Sequence, residues 1–187
     1  MTEPRSRKAA LLDRDGTINV DTHFLHDAND VALLPGAAEA IKQLAAAGYP
    51  TIVFTNQSGI ARGVISLPAY HAVRERINEL LAEAGASVLD TFTCPHHPDV
   101  TGPCDCRKPG TALFERAATM YDLDLSQCLY VGDRMRDVQP ALTYGGRGVL
   151  VLSHHTSDDQ VAAARDAGIP VVNYLIDAVP LLLAQHE

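Results

Sequence analysis

Short apolar runs of strand length alternate with helical stretches along most of this chain, and that alternation restricts the folds open to it. Lys8–Leu12 reads as a buried strand. Gly36–Ala47, "GAAEAIKQLAAA", reads as a helix entered after Pro35 and closed by Gly48. Tyr49–Thr55 is β-branched and reads as a second strand. Leu67–Ala84 carries Val73, Ile77, Leu80 and Leu81 on one helical stripe, with Pro68 at its start. Ser87–Cys94, Cys128–Gly132, Val149–Ser153 and Pro170–Asn173 read as further strands, and Thr111–Tyr121, Asp158–Ala167 and Tyr174–Gln185 as helices. Strands separated by helices predict an α/β fold: a three-layer, Rossmann-like open parallel sheet with helices on both faces. No repeat or linker interrupts residues 1–187, so one domain is expected. The one long irregular stretch, Ile18–Leu34, follows the first strand, at the edge where open α/β sheets bind ligands.

Composition narrows the partners. A net charge of −8 argues against a general nucleic-acid partner, which wants a basic face. No apolar run approaches the roughly 20 residues of a membrane span. Only four apolar residues follow the polar start before Asp13, too few for a signal-peptide core, so a cytoplasmic protein is expected. With 5 % aromatic residues and no Trp, the core is expected to be aliphatic. No large exposed apolar stripe is evident, which predicts a monomer. The basic residues Arg14, Arg62, Arg107, Lys108, Arg134 and Arg136 fall in or beside polar motifs, as suits a small anionic ligand.

Four polar motifs sit at or near strand ends. "LLDRDGT" ends the first strand on Asp13 and Asp15, two carboxylates that are costly beside a core unless a cation sits between them. "TNQSG" (Thr55–Gly59) ends the second, "CRKP" (Cys106–Pro109) opens the helix at Thr111, and "GDRMRD" (Gly132–Asp137) ends the Cys128–Val131 strand. In a parallel sheet these ends share one edge. Asp13, Asp15 and Asp133 are therefore expected to share a hard divalent cation, for which Mg²⁺ is the natural choice. "CPHHPDVTGPCDC" offers soft ligands: Cys94, Cys104, Cys106 and either His96 or His97, a set suited to a closed tetrahedral structural zinc site. Cys128, inside a predicted strand, is read as packing.

In "DRDGT", Thr55, Lys108 and "GD…D", in that order, the chain resembles the haloacid dehalogenase superfamily of phosphatases. The resemblance implies that Asp13 is the nucleophile of an aspartyl-phosphate route and that Asp15 is the general acid and then base. It implies that Thr55 and Lys108 hold the phosphoryl oxygens and Asp133 the Mg²⁺. Asp137 is expected to orient Asp133, a metal-bound water or Lys108. The "Cys-x-His" pattern of the family favours His96 as the zinc ligand. The zinc would anchor the loop that aims Arg107 and Lys108.

"LDRDGTIN", "TNQSGIARG" and "CPHHP…CDCRKP" resemble the branch that contains heptose bisphosphate phosphatases and histidinol-phosphate phosphatases, the former more closely. That implies removal of the 7-phosphate of a heptose 1,7-bisphosphate, with histidinol phosphate as the alternative substrate. A phospho-acceptor signalling domain is the alternative from another class. The loop between His96 and Cys104 is shorter than is usual in this branch. Spacing between the motifs leaves no room for an inserted cap domain. By resemblance, substrate is selected by Asp21, Thr22, His23 and Phe24 in the flap, by Asn56, Gln57 and Ser58, and by Arg107 and Arg134. Arg107 is expected to take the distal phosphate, with Arg62 or Arg134 as alternatives. Arg62 and Arg136 otherwise read as solvated surface. His23, His26, His71, His154 and His155 have no motif of their own and are read as surface or packing.

Overall fold

The structure is a computed structural model and describes residues 8–184. Its elements run β1 (Ala10–Leu12), α1 (Ala37–Ala46), β2 (Thr51–Asn56), α2 (Ser58–Ala61), α3 (Leu67–Glu83), β3 (Val88–Cys94), α4 (Pro98–Thr101) and α5 (Ala112–Tyr121). They continue as β4 (Leu129–Gly132), α6 (Met135–Tyr144), β5 (Arg147–Val151), α7 (Asp158–Asp166), β6 (Val171–Val172) and α8 (Leu175–Leu183). The six strands form one sheet in the order β3-β2-β1-β4-β5-β6, and every pair is parallel. The strand order reverses at β1, with β2 on one side and β4 on the other. That is the topological switch point at which such sheets leave a crevice beyond their carboxyl ends.

The strand period of two sorts β1 between both faces. Ala10 and Leu12 pack with Ile41 and Leu44 of α1, Val73 and Ile77 of α3, and Leu175 and Val179 of α8. Ala9 and Leu11 pack with Leu113 and Phe114 of α5 and Ala141 of α6. The first face is aliphatic apart from Tyr49, as composition predicts. The second is not. Phe54 stacks on Phe114 at 4.3 Å and on Phe92 at 5.3 Å, with Tyr130 6.0 Å beyond Phe114. The few aromatic residues are concentrated in one layer, which a whole-chain percentage conceals. No helix among the described residues is long and apolar enough to cross a membrane.

Most predicted elements stand within one or two residues of their expected bounds. The exceptions are α6 and the four-residue helices α2 and α4, to which the sequence reading gives no element; α6 carries Pro140 inside it, and a proline removes a helical donor. Its burial on the sheet outweighs that cost: Val138 and Ala141 are buried, and Gly148 of β5 offers a surface without a side chain. The predicted end of the last helix at Gln185 lies outside the described residues.

Candidate active site

Asp13 follows β1, Thr55 lies near the end of β2, and Asp133 follows β4, so the sheet edge brings them together. Lys108 arrives from the loop before α5. Its ammonium lies 2.7 Å from Asp13 Oδ1 and 2.8 Å from Asp137 Oδ1, and it donates to the Phe54 carbonyl. Asn56 holds the main chain of Lys108 from both sides, accepting from its N–H at 3.1 Å and donating to its carbonyl at 3.2 Å. The lysine is therefore placed by β2 as much as by its own loop.

Asp13, Asp133 and Asp137 each offer an oxygen within 4.8 Å of the others. Three carboxylates face one ammonium, an excess of two negative charges in a nearly dry pocket. The consequence is visible in their acidity. Burial pushes Asp13 up to about 8, against the pull of Lys108, and the charges of Asp137 and Asp133 push the same way. Burial and Asp137 raise Asp133 to about 6, although Ser153 donates to its Oδ2 at 2.6 Å. A divalent cation would cancel the excess, and carboxylate oxygens suit a hard one.

Asp15 departs from expectation. Its carboxylate is not in the cluster that could hold the cation. Arg14 grips it with two bonds, of 3.0 and 2.8 Å, and Asn19 and Gln57 donate at 2.9 and 2.7 Å. Asp137 takes the third place in the acidic cluster instead. Burial works to raise the pKa of Asp15, but Arg14, Asn19 and Gln57 outweigh it and hold the carboxyl below its ordinary value. Asp137 acts first on Lys108, while its other oxygen accepts the Arg134 N–H at 3.0 Å.

Two glycines are required by close approach. A Cβ on Gly132 would collide with the Asp137 side chain, so this glycine admits the carboxylate that steadies Lys108. Gly16, at φ +81, passes so near Asp133 that a Cβ would sit 2.5 Å from its Oδ2.

A cleft of about 310 Å³ opens over this centre. Asp21, His23 and Phe24 of the flap line it, as do Asn56, Gln57, Ser58, Arg107 and Arg134. Thr22 is exposed and is not among its lining residues. The amides of Asn56 and Gln57 are already engaged, with Lys108 and with Asp15 and Thr55 respectively, so they position other groups first. Because Gln57 donates to Thr55 Oγ1, the Thr55 proton is left free to donate onward. His23 and Phe24 both adopt positive φ, 58° and 57°, in a turn that Asp21 fastens by accepting the His23 N–H. Side chains rarely adopt this backbone conformation, and here it turns two rings into the cleft wall.

The cleft also holds residues that sequence reading set aside. Arg136, read as solvated surface, and Arg62, read as surface or as an alternative for the distal phosphate, join Arg107 and Arg134 in the wall. His155 lies 3.0 Å from Asp21 Oδ2, tying the flap to the loop after β5. That loop steadies Asp133 as well, through Ser153 and through Thr156, which donates to its carbonyl at 2.7 Å. These residues follow a strand, like the four motifs, and that position was the available signal.

Beside the cleft, the ligand atoms of Cys94, His96, Cys104 and Cys106 gather within 4.8 Å. Cys94 Sγ lies 3.8 Å from Cys104 and 3.1 Å from Cys106, which lies 3.5 Å from Cys104. His96 Nδ1 lies 3.1 Å from Cys106 and 3.9 Å from Cys94. These are edges of a small tetrahedron, and all are far longer than the roughly 2.05 Å of a disulfide. Burial and the neighbouring thiols push Cys94 up to about 12, whereas, against its burial, Cys106 and the Arg107 main chain bring Cys104 down to about 7, so ionising all three thiols together calls for a cation. The His96 carbonyl in turn accepts from Arg107 at 3.3 Å.

A carboxylate at the switch point, an acidic cation pocket and a buried lysine define a phosphoryl-transferring hydrolase on a doubly wound sheet. Residues 105–178 match the family described as HAD-hydrolase-like. D-glycero-beta-D-manno-heptose-1,7-bisphosphate 7-phosphatase of Haemophilus ducreyi is 36% identical over 179 residues, covering 93% of this chain and 97% of that protein. The protein of the same name in Pseudomonas aeruginosa is 40% identical over 156 residues, 79% of this chain and 86% of its own. The crystal structure of D,D-heptose 1,7-bisphosphate phosphatase from B. bronchiseptica, complexed with magnesium and phosphate, superposes with a TM-score of 0.80 at 34% identity, over 94% of this chain and 98% of that one. The chain belongs to the haloacid-dehalogenase-like hydrolase family.

Proposed function

We propose that this protein is a Mg²⁺-dependent phosphatase that removes the 7-phosphate of D-glycero-D-manno-heptose 1,7-bisphosphate through an aspartyl-phosphate. One observation carries the choice of substrate: the cleft has a catalytic end and, beside it, a wall of four arginines, Arg62, Arg107, Arg134 and Arg136. A second phosphate finds charge there. The cationic tail of histidinol phosphate would meet repulsion.

Asp13 attacks the 7-phosphorus and the sugar alkoxide leaves. Lys108 neutralises the phosphoryl oxygens while Thr55 donates to them. Water then cleaves the aspartyl-phosphate, releasing inorganic phosphate and restoring Asp13. Asp15, held ionised in this state, has the form needed to activate that water. Protonating the departing alkoxide in the first step requires Asp15 to be released from Arg14 and to carry a proton. Mg²⁺, held by Asp13 and Asp133, would reduce the repulsion between the nucleophile and the dianionic phosphate.

The second metal in this reading is zinc, bound by Cys94, His96, Cys104 and Cys106. A tetrahedral ion with Zn–S bonds of about 2.3 Å sets its thiolates about 3.8 Å apart, close to most of the edges observed. Four protein ligands leave no open position, so this zinc acts by holding the loop that carries Arg107 and Lys108. The reading places a single-domain monomer in the cytoplasm, which gel filtration and cell fractionation test. The decisive assay is phosphate release from both heptose bisphosphate anomers and from histidinol phosphate, with Mg²⁺ and with chelator. Heptose bisphosphate is expected to be the fastest substrate, with turnover lost on chelation. Faster release from histidinol phosphate, or no need for metal, would overturn the proposal.

A further inference from the structure

His97 is approached by two hydrogen-bond donors and has one acceptor to offer. The Asp99 N–H points at its Nδ1 from 3.2 Å, where His97 caps α4. The Arg62 guanidinium Nη2 lies 2.6 Å from its Nε2. A neutral imidazole carries a proton on one nitrogen and a lone pair on the other. In either tautomer, one N–H is therefore aimed at another. The Asp99 amide is fixed in the first turn of α4, whereas a guanidinium on its long stem can move. Nδ1 thus accepts from Asp99, and Nε2–H faces Arg62. Protonating the ring removes the Nδ1 lone pair as well. The Asp99 carboxylate, 3.7 Å from Nδ1, is beyond hydrogen-bond reach. Two donors from different elements thus converge on the cleft wall and share no acceptor.

We infer that Arg62 and His97 form an oxyanion subsite, in which a phosphate oxygen takes both N–H groups, and that His97 selects substrates bearing a second phosphate. The identity of that anion rests on the proposed function. The position suits a distal group. Asp13 leaves β1, while His97 follows β3, two strands away, roughly 10 Å at ordinary strand spacing. A phosphate on Asp13 and another at His97 would lie at opposite ends of a sugar.

The test compares wild type, Arg62→Ala and His97→Asn, each with its zinc content verified. Asparagine caps helices well and keeps an acceptor for the Asp99 N–H, so His97→Asn removes the Nε2 donor without uncapping α4. The readout is the ratio of kcat/KM for heptose 1,7-bisphosphate to that for heptose 7-phosphate. Each variant is expected to lose about tenfold of this ratio, mostly through KM, the scale of one charge-assisted hydrogen bond. Long-range ¹H–¹⁵N spectra of the wild type should show His97 protonated at Nε2, and its signal should move when inorganic phosphate is added. If wild type prefers the bisphosphate and both variants keep that preference, the subsite is overturned while the proposed function stands. If wild type fails on the bisphosphate but phosphate still moves the His97 signal, and Arg62→Ala abolishes the movement, the subsite stands and the sugar assignment falls. A His97 protonated at Nδ1 overturns the inference outright.

Discussion

Replacing Asp137 by Asn separates the clamp on Lys108 from the cation pocket. The change is nearly isosteric, and Asn can still accept the Arg134 N–H that Asp137 accepts at 3.0 Å. What disappears is a charge 2.8 Å from the Lys108 ammonium, with both side chains 2 % exposed. At an effective dielectric near 20, that attraction is about 6 kcal/mol before desolvation is returned. Breaking a buried ion pair usually costs about 3–5 kcal/mol, because a charge is left uncompensated. Lys108 keeps Asp13 at 2.7 Å, and losing the Asp137 charge also relieves its repulsion of Asp13 and Asp133, so the loss should fall well short of that range, below about 2 kcal/mol by urea unfolding of the metal-free protein. Turnover should suffer more. An ammonium held by Asp13 alone settles on the nucleophile, and a displacement of the order of 1 Å can cost about 100-fold in rate. Phosphate release at increasing Mg²⁺ is the assay, with kcat down about 100-fold and no recovery at high metal. Full recovery at high Mg²⁺ would show that Asp137 serves the cation, and unchanged kcat would show that the lysine needs no second anchor.

Asp13→Asn should abolish phosphate release with the fold retained by circular dichroism; measurable turnover removes Asp13 as nucleophile. Cys104→Ser should lower zinc content and melting temperature together, since metal binding and folding are linked, and unchanged metal content by mass spectrometry would end the zinc assignment. The metal-free protein should lose stability as pH rises from about 4 to 8. Folded Asp13 and Asp133, raised by burial to about 8 and about 6, keep protons that the unfolded chain has released. Mg²⁺ displaces those protons, so the thermal shift it produces should grow between pH 5.5 and pH 8; a pH-independent shift refutes the raised pKa values. Gly132→Ala should cost activity in proportion to the displacement of Asp137, read as a lowered kcat with Mg²⁺ dependence near that of wild type.

The amino-acid sequence by itself determined the layered α/β architecture, because strand and helix periods are local properties of neighbouring side chains. It also marked Asp13, Thr55, Lys108 and Asp133 as residues that meet, since parallel strands send their carboxyl ends to one edge. The zinc-type cluster was legible for the same reason: four soft ligands within thirteen residues cannot be far apart. Only the tertiary structure decided which carboxylates share a pocket. Asp15 is two residues from Asp13, yet its carboxylate is held by Arg14, Asn19 and Gln57, while Asp137 enters from α6 through the space that Gly132 leaves. The helix that carries Asp137 was not read from the sequence; the packing of Val138 and Ala141 on the sheet holds it despite Pro140. Arg62, His97 and His155 follow three different strands and Arg136 lies in the first turn of α6, with no shared motif, and they became one cleft wall only when the strand order set those segments side by side. Side-chain direction and long-range proximity are global quantities, and no local pattern of residues encodes them.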